Sequence, residues 1–429
     1  MSQSDLVQLR RDLHRHPEPA WREFYTTARI VDELETRPLD ELYVGPEVLA
    51  EGERMALPDE DELDEWFERA REQGAREDIL DRLEGGYTGA LAVFSRGEGP
   101  TVGLRVDIDA LHITESDDEE HLPAREGFRS ENEGYMHACG HDAHATIGIG
   151  VLDAVIDSDF EGTLKVFFQP SEESGAGGKP MAASGHLDDV DYLLAVHVGL
   201  DHPTGEIVAG VEGFLAVSSF RAEFEGSPAH AGGHPEQGDN AVQAMATAIQ
   251  NMYAIPRHAD GATRVNAGVV GGGTASNIIP EESFVRGEVR GETTELMEYM
   301  DEKARRVVRS AAEMHGCDVD IAPSSRAPSA VSDEAVASVV SEVAHEDERV
   351  TSVLERDDLG GSEDATYLMK RVQDHGGLAA YVGVGTSHPG GHHTRTFDVE
   401  EESLDIGVAV LSNAVLELAK RRPTAESDA

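Results

Sequence analysis

Strand-length apolar runs alternate with helical segments over residues 89–198, and this alternation constrains the fold more than any other feature of the chain. The runs are Gly89–Phe94, Thr101–Val106, Thr163–Phe168 and Tyr192–Val198, with a helical stretch at His144–Ile156. Such a pattern predicts an α/β domain with a mostly parallel central sheet and helices on both faces. Ahead of it, residues 5–34 read as two helices broken at His16–Pro17–Glu18. Residues 57–85 read as an acidic amphipathic stretch closed by the turn Gly85–Gly86.

The pattern changes near Gly213. Phe214–Glu225, Thr263–Val270, Glu282–Arg290 and Cys317–Ala322 read as strands, and Asn240–Ile255 and Thr294–His315 as helices. A β-α-β-β-α-β order of this kind predicts an inserted ferredoxin-like α+β unit. The expected division is therefore residues 1–212 and 327–429 for the α/β domain, with 213–326 inserted between them. After about Ala327 the α/β pattern resumes with a strand at Ala379–Val384 and a helix at Ser403–Lys420. The tail Arg421–Ala429 reads as disordered.

Charge narrows the setting. Asp and Glu number 84 against 35 Lys and Arg, a formal net charge of −49, and only five of the basic residues are lysines. Self-repulsion on this scale opposes a compact state unless salt screens it. The composition therefore points to a halophile's surface in a high-salt organism. Without a basic stripe, nucleic-acid binding is not expected. Residues 1–21 lack the apolar core of a signal peptide, and no apolar run approaches the ~20 residues of a membrane helix. Two cysteines make no disulfide framework. The expectation is a cytoplasmic protein with no membrane partner.

Chemistry concentrates in Met136–His144 (MHACGHDAH), where one thiol, three imidazoles and one carboxylate fall within nine residues. Cys139 and His141 are ligand types for a borderline-soft divalent metal. Gln169–Glu173 follows a strand and carries the adjacent carboxylates Glu172 and Glu173. One of these can bind metal while the other faces a water as general base. Read alone, the pair in so acidic a chain is more simply a solvated acidic turn. His197, a single imidazole in an apolar strand, read alone is a core histidine. His392 and His393 stand in a Gly-rich loop before Phe397 and Asp398. Together these residues are enough for a two-metal hydrolytic site acting on an amide. Neither a dinucleotide fingerprint after the first strand nor a phosphate-binding loop is present.

In order along the chain, RVDIDAL (105–111), MHACGHDAHA (136–145), QPSEES (169–174), AVHVG (195–199), GSPAHAG (226–232), SNIIP (276–280) and GHHTRTF (391–397) resemble the M20 peptidase family. The likeness is to its amidohydrolase branch of aminoacylases, hippurate hydrolases and auxin-conjugate hydrolases. Within that branch, residues 54–89 and 360–377 resemble the p-aminobenzoyl-glutamate hydrolases. The resemblance implies a dinuclear-metal hydrolase for N-acyl amino acids, with Cys139, His141, Glu173, His197 and His393 as ligands and His392 as the alternative to His393. By the same resemblance Glu172 is the general base, Asp109 orients a ligand imidazole, and His230 supports the oxyanion in a dimer partner's site. Asn277 and Arg290 would hold the substrate, although Arg290 could instead form a surface ion pair in so acidic a chain. Zinc or manganese suits these ligand types, with cobalt or nickel as alternatives. The implied assembly is a homodimer or a heterodimer with a homologous chain. A dipeptidase, a carboxypeptidase or a partner-dependent subunit is the rival reading. His14 and His16 read as structural, and so do His137 and His144, although either of the latter could instead support a ligand from behind; Cys317 reads as core.

Overall fold

The computed structural model describes residues 2–388 and 390–421; beyond Arg421 the tail lies outside the described residues. In chain order its main strands are β1 (Glu41–Val44), β2 (Ala90–Arg96), β3 (Thr101–Asp107), β4 (Gly162–Gln169), β5 (Tyr192–Val198), β6 (Glu206–Val208), β7 (Ala216–Glu225), β8 (Thr263–Gly272), β9 (Glu282–Gly291), β10 (Asp318–Ala327), β11 (Ser352–Leu354) and β12 (Leu378–Val384). The chain forms two compact units. One comprises residues 1–213, 330–359 and 364–429, and the other residues 214–329 and 360–363.

The first unit is built on an eight-stranded sheet in the order β1-β2-β4-β3-β5-β12-β6-β11. Its central strands β4, β3, β5 and β12 run parallel to one another. Antiparallel pairs join β1 to β2, β2 to β4 and β6 to β12. Every residue of β5 is buried, so both faces of the sheet are covered, as parallel strands require. Leu104, Val106, Leu164, Val166, Leu194, Val196, Ala380 and Val382 from the four central strands share one apolar core. The parallel strands deliver Asp107, Gln169 and Val198 to their C-terminal ends, where sites form in open α/β sheets.

Several elements depart from the sequence pattern. Strands β1, β6 and β11 are three or four residues long, too short to display a period, and the helices Glu334–Glu346 and Thr366–Asp374 add to the elements the pattern predicts. The acidic stretch is two helices, Glu60–Glu72 and Glu77–Leu83, parted at Gly74 with φ +100°. The helix expected from His144 starts at His141. Its N-cap, Gly140, has φ +86°, and a Cβ there would lie 2.5 Å from Val198 Cγ2, so both conformation and space require glycine. No helix among the described residues is long and apolar enough to cross a membrane.

In the second unit an antiparallel sheet runs β8-β9-β7-β10, with the helices Ala241–Tyr253 and Thr294–Met314 completing a β-α-β-β-α-β order. Strand β9 buries alternate residues, the signature of a sheet covered on one face. Phe220, Phe224, Met245, Met252, Val285, Val289, Met297 and Val308 fill its core, and Cys317 joins them.

Candidate metal centre

The site grows from the ends of the central strands. Asp107 closes β3 and Asp109 follows two residues on, on the same side by the strand period. The turn carrying Glu172 and Glu173 follows β4. His197 lies one residue before the end of β5, and the His392–His393 loop follows β12. Cys139 and His141 enter with the helix His141–Ile156.

Their ligand atoms converge in overlapping groups, and Cys139 enters two of them. Cys139, His141 and His197 have donor atoms within 4.8 Å of one another, and so do Cys139, Glu173 and His393. Cys139 belongs to both, which places its sulfur where a bridging ligand would stand. The Sγ lies 3.3 Å from His197 Nε2. His141 Nε2 lies 3.8 Å from Glu173 Oε1 and 3.9 Å from Glu172 Oε2. His393, with φ +58°, directs Nε2 to 3.7 Å from Glu173 Oε2. A non-glycine residue in that backbone region is strained, and such strain concentrates at functional sites.

Hydrogen bonds fix which ring nitrogen faces inward. His141 donates Nδ1–H to Asp109 Oδ1 at 3.2 Å, and Asp109 Oδ2 accepts the Glu173 backbone N–H at 2.9 Å. One carboxylate thereby orients the His141 ring and fixes the Glu173 backbone. His197 donates Nδ1–H to the Val198 carbonyl at 2.7 Å, which leaves the lone pair of Nε2 toward the sulfur. His141 Nε2 and Glu173 Oε1 are both buried without a hydrogen-bond partner. Orphaned polar atoms on a soft–hard mixed donor set are what divalent ions would satisfy, an ion taking the place of the proton on His141 Nε2, so the residues fit a metal pair.

Electrostatics agree. Burial depresses the His141 imidazole, but the charge of Asp107 and the hydrogen bond to Asp109 outweigh it and raise the group to about 10. Burial raises the Glu173 carboxyl to about 7, with Asp109 and Asp107 adding to the effect. Perturbations of this size mark a site built for charge.

Asp107 escapes the sequence reading, and His144 takes the supporting place that is the alternative to a purely structural one. Asp107 is fully buried and accepts from Arg105 Nη1 at 2.7 Å and from His144 Nδ1. His144 Nε2 in turn accepts the Val198 N–H at 2.8 Å. Both nitrogens of His144 are therefore used, which keeps it out of the ligand set although it stands beside His141. The two-residue spacing of Asp107 and Asp109 is the signal that could have found the first of them.

The remaining candidates belong to the second unit. His230 pairs with Ile278 in a short two-stranded antiparallel ladder, and the Asn277 carbonyl accepts the Ala231 N–H at 2.9 Å, so His230 and Asn277 share one local structure. His230 Nδ1 accepts the N–H groups of Gly232 and Gly233 at 3.1 and 2.9 Å. The neutral ring therefore carries its proton on Nε2, as a donor. Arg290 holds Glu288 in a fork at 2.9 and 3.2 Å, the surface ion pair that so acidic a chain favours.

Residues 103–417 match peptidase family M20/M25/M40. The chain belongs to this family. It is 42% identical to the indole-3-acetyl-aspartic acid hydrolase of Enterobacter agglomerans, over 97% of each chain. It is 41% identical to one subunit of the p-aminobenzoyl-glutamate hydrolase of Escherichia coli K12, over 96% of this chain and 95% of the relative. Among solved structures, the aminobenzoyl-glutamate utilization protein from Klebsiella pneumoniae superposes with a TM-score of 0.82 at 35% identity. The match covers 96% of this chain and 95% of that one. The family resemblance of the seven motifs is thus shown, and with it a hydrolase on a mixed α/β fold.

Proposed function

We propose that this M20 hydrolase cleaves the amide bond of an N-acyl amino acid, of the aminobenzoyl-glutamate type or another acyl-amino acid. The observation that carries the reading is the sharing of Cys139 between two ligand triads, with the Glu172 carboxylate beside them. Cys139, His141, Glu173, His197 and His393 would hold two divalent ions, zinc or manganese by ligand type. When bound, the ions supply Lewis acidity to the amide carbonyl and to the attacking water.

The chain's own groups do the rest. Glu172 takes a proton from the attacking water as its oxygen bonds to the carbonyl carbon. It then delivers that proton to the amide nitrogen as the C–N bond breaks, leaving a carboxylic acid and an amine. His230, with its proton on Nε2, can donate to the developing oxyanion of a dimer partner's site. Asn277 and Arg290 would hold the carboxylate of the leaving amino acid, which requires Arg290 to exchange Glu288 for substrate. Two buried thiols outside any disulfide suit a reducing cytoplasm, and the −49 charge suits high salt.

Because one relative is named as a subunit, the partner is either a second copy or a homologous chain. The test is turnover by the purified, metal-loaded chain of a panel of N-acyl amino acids against dipeptides at high salt, alone and with a homologous chain. Turnover of N-acyl amino acids is expected. Cleavage of dipeptides alone would overturn the reading.

A further inference from the structure

Directly after β5 the backbone does something costly. Gly199, Leu200 and Asp201 have φ of +86°, +52° and +63° in succession, and two of the three carry side chains. Non-glycine residues in this region are strained, and they persist only where surrounding structure enforces them. What the turn achieves is local. It aims the Leu200 N–H at Nε2 of His392, 3.0 Å away. Gly199 makes room for that ring, since a Cβ there would fall 2.4 Å from Nε2.

A backbone N–H can only donate, so His392 Nε2 accepts, and the neutral ring holds its proton on Nδ1. That Nδ1 lies 3.6 Å from Cys139 Sγ. Were Nδ1 a metal ligand instead, Nε2 would carry the proton and face the Leu200 N–H donor to donor. His393 is under no such constraint, and its Nε2 faces Glu173.

We propose that His392 is a positioning residue that donates an Nδ1–H···S hydrogen bond to the Cys139 thiolate, held in that tautomer by the Leu200 peptide. A donor on the sulfur withdraws electron density from it. With ions bound, a thiolate so bonded would give them less charge and leave them stronger Lewis acids. The proposal rests on the dinuclear reading above, and it removes His392 from the choice of last ligand.

Cobalt-loaded chain tests this, because a thiolate on cobalt gives a sulfur-to-metal charge-transfer band. His392→Leu is expected to keep two cobalt ions per chain while the band moves to longer wavelength, and to slow hydrolysis about tenfold. His392→Asn places an amide N–H near the position of Nδ1 and returns the band toward wild type. Gly199→Ala displaces the ring by another route and gives the same shift, so the test survives a misfolded His392→Leu. Loss of one cobalt ion in His392→Leu, or a band that does not move in any variant, overturns the proposal. A wild-type chain with no such band overturns the dinuclear reading itself, and that failure shows before any variant is made.

Discussion

His197 Nε2 stands 3.3 Å from Cys139 Sγ, its other nitrogen bound to the Val198 carbonyl. The imidazole thus offers a lone pair to the same point as the sulfur. Cys139→Ser keeps the shape but replaces a soft thiolate by a weakly acidic hydroxyl. It is expected to lower metal content after dialysis against a mild chelator, with activity partly recovered in excess metal. Unchanged metal content would remove the thiolate from the centre.

Asp109 serves His141 with one oxygen and the Glu173 backbone with the other. Asp109→Asn offers only one acceptor oxygen, so one of the two groups loses its partner. The expected effect is a fall in metal affinity of about 10–100-fold. It is checked by competition with a chromophoric chelator, and Asp109→Glu should recover less than wild type because the carboxylate is displaced.

Behind the centre lies a buried ionic cluster. His14 meets Asp142 at 2.8 Å and Glu115 at 3.0 Å, Arg10 spans Asp142 and Asp398, His121 joins Glu115, and the ring of His137 packs nearby. Burial and Arg10 push the His14 imidazole down, but Glu115 and Asp142 prevail and raise it to about 9. A raised histidine stabilises the fold fully below its unfolded value, ~6.5, and the contribution is lost as pH rises through about 9. Urea midpoints should therefore fall between those pH values, by on the order of 3 kcal/mol of stability. His14→Gln should be less stable at pH 6 and show a flatter profile. A profile as steep as wild type would contradict the assignment.

The sequence makes part of this site visible and conceals part, for identifiable reasons. Cys139 with His141, and Glu172 with Glu173, stand close in sequence and in chemically distinctive combinations. The sequence leaves His144 between a structural and a supporting role, because the choice depends on which nitrogen meets the Val198 N–H. The same holds for His392, whose tautomer is set by a backbone group 192 residues away. His14 looks like the end of a helix, and nothing local announces Glu115 and Asp142 as its partners. In the fold, long apolar strands such as β5 are plain. Three- and four-residue edge strands are not, since pairing rather than pattern defines them.

The surface charge makes its own prediction. At −49 and with few lysines, repulsion between exposed carboxylates should weaken the fold at low ionic strength. Raising potassium chloride from about 0.1 M to about 1 M shortens the screening length roughly threefold. The thermal midpoint should rise across that range. A midpoint insensitive to salt would contradict the halophilic reading.

The most direct test of the dinuclear account is Glu172→Gln, assayed for hydrolysis of an N-acyl amino acid and for metal content on the same preparation. The account predicts two ions per chain, as in wild type, and a rate lower by at least about 10²–10⁴-fold, the scale of a lost general base. Retained activity, or loss of a metal ion with the substitution, would contradict the division of roles between Glu172 and Glu173.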